Sequence, residues 1–95
     1  MMLTEIDHKI VVREFKHYLN GCEAEQVVGL VEIYQQMEQC REIFYLNIPQ
    51  VRFILRENVK RYVEQKNCCQ GVDDDDLRLY YTARIREIEG VLQNM

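Results

Sequence analysis

Apolar residues recur at helical spacing along the chain, and the longest such run extends from residue 23 to residue 46. On a helical wheel its apolar side chains fill one arc of roughly 180°, wider than the ~100° stripe of an ordinary surface helix. This span therefore predicts one continuous central helix with neighbours on two sides and an acidic outer face. The arc contains Val27, Leu30, Val31, Ile33, Tyr34, Met37, Cys40 and Phe44.

Three further helices are predicted around this one. Thr4 is a plausible N-cap for the first helix, and the run Asn47-Ile48-Pro49-Gln50 has the residues that start the third. A strand over residues 9–12 is the competing interpretation of the β-branched run in the first helix, although no second strand pattern exists to pair with it. The expected helices are 4–19, 49–66 and 77–93, with a linker at 67–76. The inward face of the first helix holds Val11, Val12, Phe15, Tyr18 and Leu19. That of the third holds Val51, Ile54, Leu55, Asn58, Val59 and Tyr62. That of the fourth holds Leu77, Tyr81, Ile85, Ile88, Val91 and Leu92.

Four amphipathic helices joined by short connections predict an all-α fold. The arrangement expected is a small four-helix bundle or an orthogonal helical array, formed by a single domain over residues 1–95. The wide apolar arc of the central helix leaves surface to spare, and a homodimer that buries this surface is a further expectation.

The composition of the chain disfavours some classes of function and indicates a cellular location. The formal net charge of −4 disfavours a protein that coats DNA, although it leaves room for a local basic face. No apolar run is long enough to span a bilayer and no basic leader precedes an apolar one, so we expect a cytoplasmic protein without a membrane partner. The four cysteines fit free thiols best. A redox-sensitive Cys68–Cys69 pair and a metal site stay open as weaker alternatives, and no cofactor or metal is predicted.

A basic and aromatic surface is predicted on the third helix. Arg52, Arg56 and Lys60 recur at four-residue intervals on its outer side, and Phe53 falls beside them, away from the core stripe. This pattern suits an acidic protein partner, or phosphates with one stacking contact. The simplest alternative is a solvated basic face with Phe53 covered by the first helix or by the N-terminal arm.

Two polar residues in apolar stripes and one run of aspartates also call for an explanation. Arg84 lies inside the apolar stripe of the fourth helix, so it must reach an edge, pair with a carboxylate such as Glu32 or Glu38, or meet a partner chain. Asn58 lies in the stripe of the third helix and is expected to be a satisfied core amide. The aspartate run, which includes Asp74 and Asp75, fits capping of the fourth helix or an acidic docking patch.

Catalysis has little support, because the chain has no serine and no glycine-rich phosphate loop. A helix-turn-helix around Leu46-Asn47-Ile48 would place Arg52 and Arg56 on a recognition helix. Residues 75–83 (DDLRLYYTA) resemble a segment of the Hha/YmoA family of bacterial nucleoid modulators, and the resemblance implies a small helical regulator that binds a DNA-binding protein.

We therefore expect a small non-enzymatic regulator or adaptor, an inhibitor or chaperone-like protein, that binds another protein through charged helical faces. The alternative is a helix-turn-helix-like DNA-binding repressor that uses helix 49–66. The candidate binding residues are Arg52, Phe53, Arg56, Lys60, Arg84, Asp74 and Asp75.

Overall fold

The computed structural model describes residues 3–22, 28–40 and 42–95, and every regular element in those ranges is helical. The all-α prediction is confirmed. A 3-10 turn, Val72–Asp74, precedes the last helix. The α-helices are α1 (Glu5–Asn20), α2 (Val28–Gln39), α3 (Ile43–Leu46), α4 (Ile48–Cys68) and α5 (Asp75–Gln93).

The start of α1 follows from its first four residues. The backbone N–H of Asp7 donates to Thr4 Oγ1 at 3.1 Å, and the backbone N–H of Thr4 donates to Asp7 Oδ2 at 3.2 Å. This reciprocal pair satisfies amides that a helix N-terminus otherwise leaves open. The competing strand at residues 9–12 does not form, since those residues lie in α1 and Val11 is fully buried.

The predicted continuous helix from residue 23 to residue 46 is wrong. Residues 23–27 and 41 lie outside the described ranges, but α2 ends at Gln39 and α3 begins only at Ile43. The backbone N–H of Cys40 donates to Gln36 O, four residues back, whereas that of Ile43 donates to Cys40 O, three residues back. The chain thus tightens and turns after Cys40.

Cys40 and Phe44 lie on either side of the break and differ in burial. Phe44 is fully buried, whereas Cys40, which the wheel placed in the same arc, is exposed. The break therefore separates the exposed end of α2 from the buried side chain of α3. Asn47 closes the turn, with its Nδ2 donating to Ile43 O at 2.8 Å. The homodimer stays a prediction, because the structure contains one chain.

The organising element is α4, which packs against α1, α3 and α5. Its predicted stripe is confirmed, since Val51, Ile54, Leu55, Asn58 and Tyr62 are all buried. The remaining core residues come from every other α-helix: Val11 and Phe15 of α1, Met37 of α2, Phe44 of α3, and Ile88 and Val91 of α5.

The C-terminal half of α5 supplies its core contacts. Ile88 and Val91 are fully buried, but Leu77, which we expected to face inward, is 47% exposed. That expectation is wrong because the apolar stripe continues along the helix beyond the part that the neighbouring helices cover. None of the helices in the described ranges is both long enough and apolar enough to cross a bilayer.

Candidate functional site

The predicted basic and aromatic surface forms on the outer side of α4. We call Arg52, Phe53, Arg56 and Lys60 the α4 basic face. The buried stripe of α4 fixes the rotation of the helix, so these four positions are directed away from the core. Together with Pro49 and Glu57 they line a shallow groove of about 440 Å³. The structure therefore brings four of the seven predicted binding residues into one place.

Phe53 is the apolar centre of this groove. It is 54% exposed, and its ring meets the edge of the Tyr18 ring of α1 at a centroid distance of 6.4 Å. Arg61 in turn lies over the Tyr18 ring, with its Cζ 5.0 Å from the centroid. Phe53 is thus supported on one side without being covered, so the alternative that α1 seals it from solvent does not hold.

The three cations of the α4 basic face differ in their internal contacts. Arg52 Nη2 donates to the carbonyl oxygen of Met95 at 3.2 Å, and Lys60 Nζ lies 3.3 Å from Glu57 Oε1. Arg56 is exposed and makes no ion pair within the described ranges. An exposed pair such as Lys60–Glu57 contributes little to stability, so its lysine can exchange partners readily.

Arg84 lies elsewhere, in a buried ionic cluster. Its Nη1 is 2.8 Å from Glu14 Oε2, and Glu14 is fully buried while the Arg84 side chain is 22% exposed. Arg13 Nε lies 2.9 Å from the same carboxylate oxygen and Arg13 Nη1 lies 2.8 Å from Glu87 Oε2. An intramolecular pair for Arg84 was one of the expected outcomes, but the carboxylate is Glu14 and neither Glu32 nor Glu38.

Two neutral side chains complete this cluster. Tyr62 OH donates to Glu14 Oε1 at 2.8 Å, and Asn58 Nδ2 donates to the Glu14 carbonyl oxygen at 2.8 Å and to Oε1 at 3.3 Å. Burial, followed by the hydrogen bond to Glu14, raises the pKa of Tyr62 above its usual value. Four groups thus converge on one buried carboxylate and join α1, α4 and α5.

Asp74 and Asp75 lie at the start of α5, where they act locally. Asp74 Oδ2 accepts from the Gly71 backbone N–H at 3.2 Å, and Asp75 pairs with Arg78. Arg78 also donates to the carbonyl oxygens of Cys69 and Gly71. Asp74 is the N-cap residue of α5 but makes no side-chain hydrogen bond to that helix, so capping is confirmed only as acidic charge in the first turn, from Asp75 and Asp76. The contacts of Asp74, Asp75 and Arg78 fasten the linker to α5.

Glu14 is the residue that the sequence analysis missed. It falls between Val11 and Phe15 and within the spacing that defines the inward face of α1, so a carboxylate occupies a core position. Arg84 and Asn58 were both recognised as polar residues in apolar stripes. Three polar residues in the apolar stripes of three helices indicate that their side chains meet in the core, since buried charges require partners.

The groove of the α4 basic face is chemically suited to binding. Its one carboxylate, Glu57, is paired with Lys60, and the other polar groups are cations. In the described parts of the chain no group of three or more His, Cys, Asp or Glu side chains is placed to hold a metal ion. All four cysteines are free thiols.

Comparison with family models, with curated proteins and with solved structures finds no match for this chain. The resemblance of residues 75–83 to the Hha/YmoA family therefore gains no support from a family match. The geometry around the predicted helix-turn-helix also departs from that motif. The helix before α4 has four residues and only Asn47 separates the two, whereas the motif joins its helices by a turn of about three or four residues.

Proposed function

We propose that this chain is a non-enzymatic regulator that docks on an acidic surface of another protein through the α4 basic face. The single observation that carries the proposal is Phe53, a large aromatic side chain 54% exposed in a groove lined by Arg52, Arg56 and Lys60. Aromatic and arginine side chains dominate the energetics of protein interfaces. The partner is expected to offer an apolar pocket for Phe53, bordered by carboxylates.

Charge complementarity favours an acidic partner. The chain as a whole carries a net charge of −4, yet cations outnumber carboxylates in this groove. An acidic partner is therefore attracted to the α4 basic face and repelled by much of the remaining surface, which orients the encounter. Arg56 has no internal counter-charge in the described ranges, so its pairing with a partner carboxylate breaks no existing ion pair.

The rigidity of α4 supports recognition as well. Five buried side chains fix this helix against its neighbours, and Tyr18 supports the Phe53 ring. A surface that is already ordered loses little conformational freedom on binding. The mechanism we propose is occlusion, in which α4 covers a functional acidic patch of the partner. Because the four cysteines are free, we place this activity in the reducing cytoplasm.

Affinity capture with the full chain tests the proposal. A lysate of the source cells is incubated with the tagged protein, with its Phe53→Ala and Arg56→Glu variants, and with two control variants. Val63→Ala is the control for an exposed apolar residue of α4 outside the groove, and Arg86→Glu is the control for an exposed arginine of α5. The captured protein is then purified and its dissociation constant is measured for each variant.

We expect Phe53→Ala to weaken binding by about 30-fold, since truncation of an interface anchor costs about 2 kcal/mol or more. Arg56→Glu should weaken binding at least as much, and both controls should stay within about threefold of the wild type. Equal loss in the controls, or no stoichiometric partner at all, would overturn the proposal. So would retardation of duplex DNA at about 50 mM salt that Arg56→Glu abolishes, because that result supports the repressor alternative.

A further inference from the structure

A second basic surface lies between α1 and α2 and shares no residue with the α4 basic face. It is an open cleft of about 550 Å³, within the usual range of small-molecule sites. Lys9, Arg13 and Lys16 of α1 line it, together with Tyr34 and Glu38 of α2. The three cations follow one another at intervals of four and three residues, so they lie along one side of α1.

The two lysines of this cleft have no counter-charge among residues 3–22, 28–40 and 42–95. Neither Lys9 nor Lys16 makes an ion pair with any residue in the described ranges, and both are exposed. Glu38, the one carboxylate among the described residues that line the cleft, accepts a hydrogen bond from Tyr34 OH. The cleft therefore holds a surplus of positive charge on a chain that is acidic overall.

Arg13 supplies a second, independent indication of an anionic ligand. Two of its nitrogens are occupied, since Nε pairs with Glu14 and Nη1 pairs with Glu87. Its Nη2 is buried and has no hydrogen-bond acceptor in the described part of the chain. Arg13 lines the cleft, and its guanidinium has to turn within its ion pairs with Glu14 and Glu87 before this donor reaches an anion there. A buried donor without an acceptor is unusual and calls for such an explanation.

The spacing of the lysines indicates the size of the ligand. Lys9 and Lys16 are seven residues apart, which separates them by about 10 Å along the helix axis. A ligand with two or more phosphate groups can offer separate oxygens to each lysine, because the flexible lysine side chains reach across the remaining distance. The Tyr34 ring forms a fixed wall, because it stacks on the buried Phe15 ring at 6.1 Å.

We propose that this cleft binds a ligand carrying at least two phosphate groups. Lys9 and Lys16 pair with the terminal phosphates, and Arg13 Nη2 donates to an oxygen between them. The ligand is either a soluble phosphorylated small molecule or the phosphorylated headgroup of a lipid. The proposal goes beyond docking by α4, and it can fail while the docking proposal stands, because the two surfaces have no residue in common.

Calorimetric titration of the full chain with sodium tripolyphosphate at low ionic strength tests the soluble source. Cosedimentation with phosphatidylcholine vesicles containing phosphatidylinositol bisphosphate tests the lipid source. Each is repeated with Lys9→Ala/Lys16→Ala and with the control Arg56→Ala/Lys60→Ala, which removes the same charge from the α4 basic face. Circular dichroism confirms that both variants stay folded, and Lys9→Gln/Lys16→Gln replaces the first variant if it does not.

We expect saturable binding in one of the two arms, and that arm identifies the source. Loss of two charge-assisted contacts should weaken it about tenfold or more in Lys9→Ala/Lys16→Ala, with the control within about twofold of the wild type. Absence of saturable binding in both arms would overturn the proposal. An equal loss in the control variant would also overturn it, because binding would then reflect overall charge.

Discussion

Replacement of the Glu14 side chain should lower the free energy of unfolding strongly. Glu14→Gln keeps the shape and removes the charge, which leaves Arg13 and Arg84 next to a neutral amide in a site with 0% exposure. Breaking a buried ion pair by removing one partner costs about 3–5 kcal/mol. A chain of 95 residues has a total stability of about 5–14 kcal/mol. The variant should therefore lose a large share of its stability.

Urea unfolding followed by far-ultraviolet circular dichroism measures this loss. With a slope of about 2 kcal/mol per molar urea, a loss of about 4 kcal/mol lowers the midpoint by about 2 M. Glu87→Gln is the matched control: its carboxylate pairs with the same arginine, Arg13, but is 43% exposed, so its loss should stay below about 1 kcal/mol.

A double-mutant cycle separates the ion pair from the shape of the site. Arg84→Met added to Glu14→Gln should cost less than the sum of the two single changes, because the cation is no longer left without its partner. The reasoning would be refuted if Glu14→Gln stayed within about 1 kcal/mol of the wild type, or if it equalled Glu87→Gln.

Three further predictions concern the fold and are checked by the same unfolding measurement. Phe44→Ala should destabilise by about 3–5 kcal/mol because Phe44 is fully buried, whereas Tyr45→Ala, at a position 40% exposed, should cost clearly less. Equal costs would contradict the burial of Phe44 in the core. Thr4→Ala should cost about 1 kcal/mol through loss of the N-cap of α1, and no change would contradict the capping geometry. The pKa of Tyr62 is raised above its ordinary value of 10.0, so the unfolded chain ionises first: the contribution of this group is complete below about pH 10 and is lost as pH rises further. Stability should fall less steeply above pH 10 in Tyr62→Phe, and an unchanged slope would contradict the shift.

Periodicity alone predicted the parts of the fold in which one helix faces one core. The α4 stripe and the position of Phe53 outside it both follow from the position of Val51 on a helical wheel, and the structure confirms them. Whether another element covers Phe53 was left open by the wheel. The N-cap at Thr4 was also predicted correctly, because capping depends on four adjacent residues.

The break after Gln39 could not be predicted from local sequence. No proline or glycine marks it, and the pattern around Cys40 and Phe44 continues at helical spacing. Phe44 packs into the core after the break, and core packing is a tertiary effect that a single-helix wheel does not contain. Leu77 shows the same limit, since the wheel gives the face of a residue and does not give the point where its neighbours end.

The buried cluster was predictable in part. Arg84 and Asn58 were out of place in their stripes, but their common partner required recognition of Glu14 as a carboxylate on the core face of α1. Pairing among three helices depends on their relative rotation and height, and no single helix fixes these. The identity of the carboxylate therefore emerged only from the packed structure.

The central claim, that Phe53 and its neighbouring cations form a docking surface, is tested most directly by titration of the captured partner at two salt concentrations. The account predicts that Phe53→Ala weakens binding about 30-fold at both salt concentrations and that Val63→Ala does not. The affinity of the wild type should fall between about 50 and 200 mM salt, and that of Arg56→Glu should fall much less. Identical affinity and salt dependence for the wild type and both groove variants would contradict it.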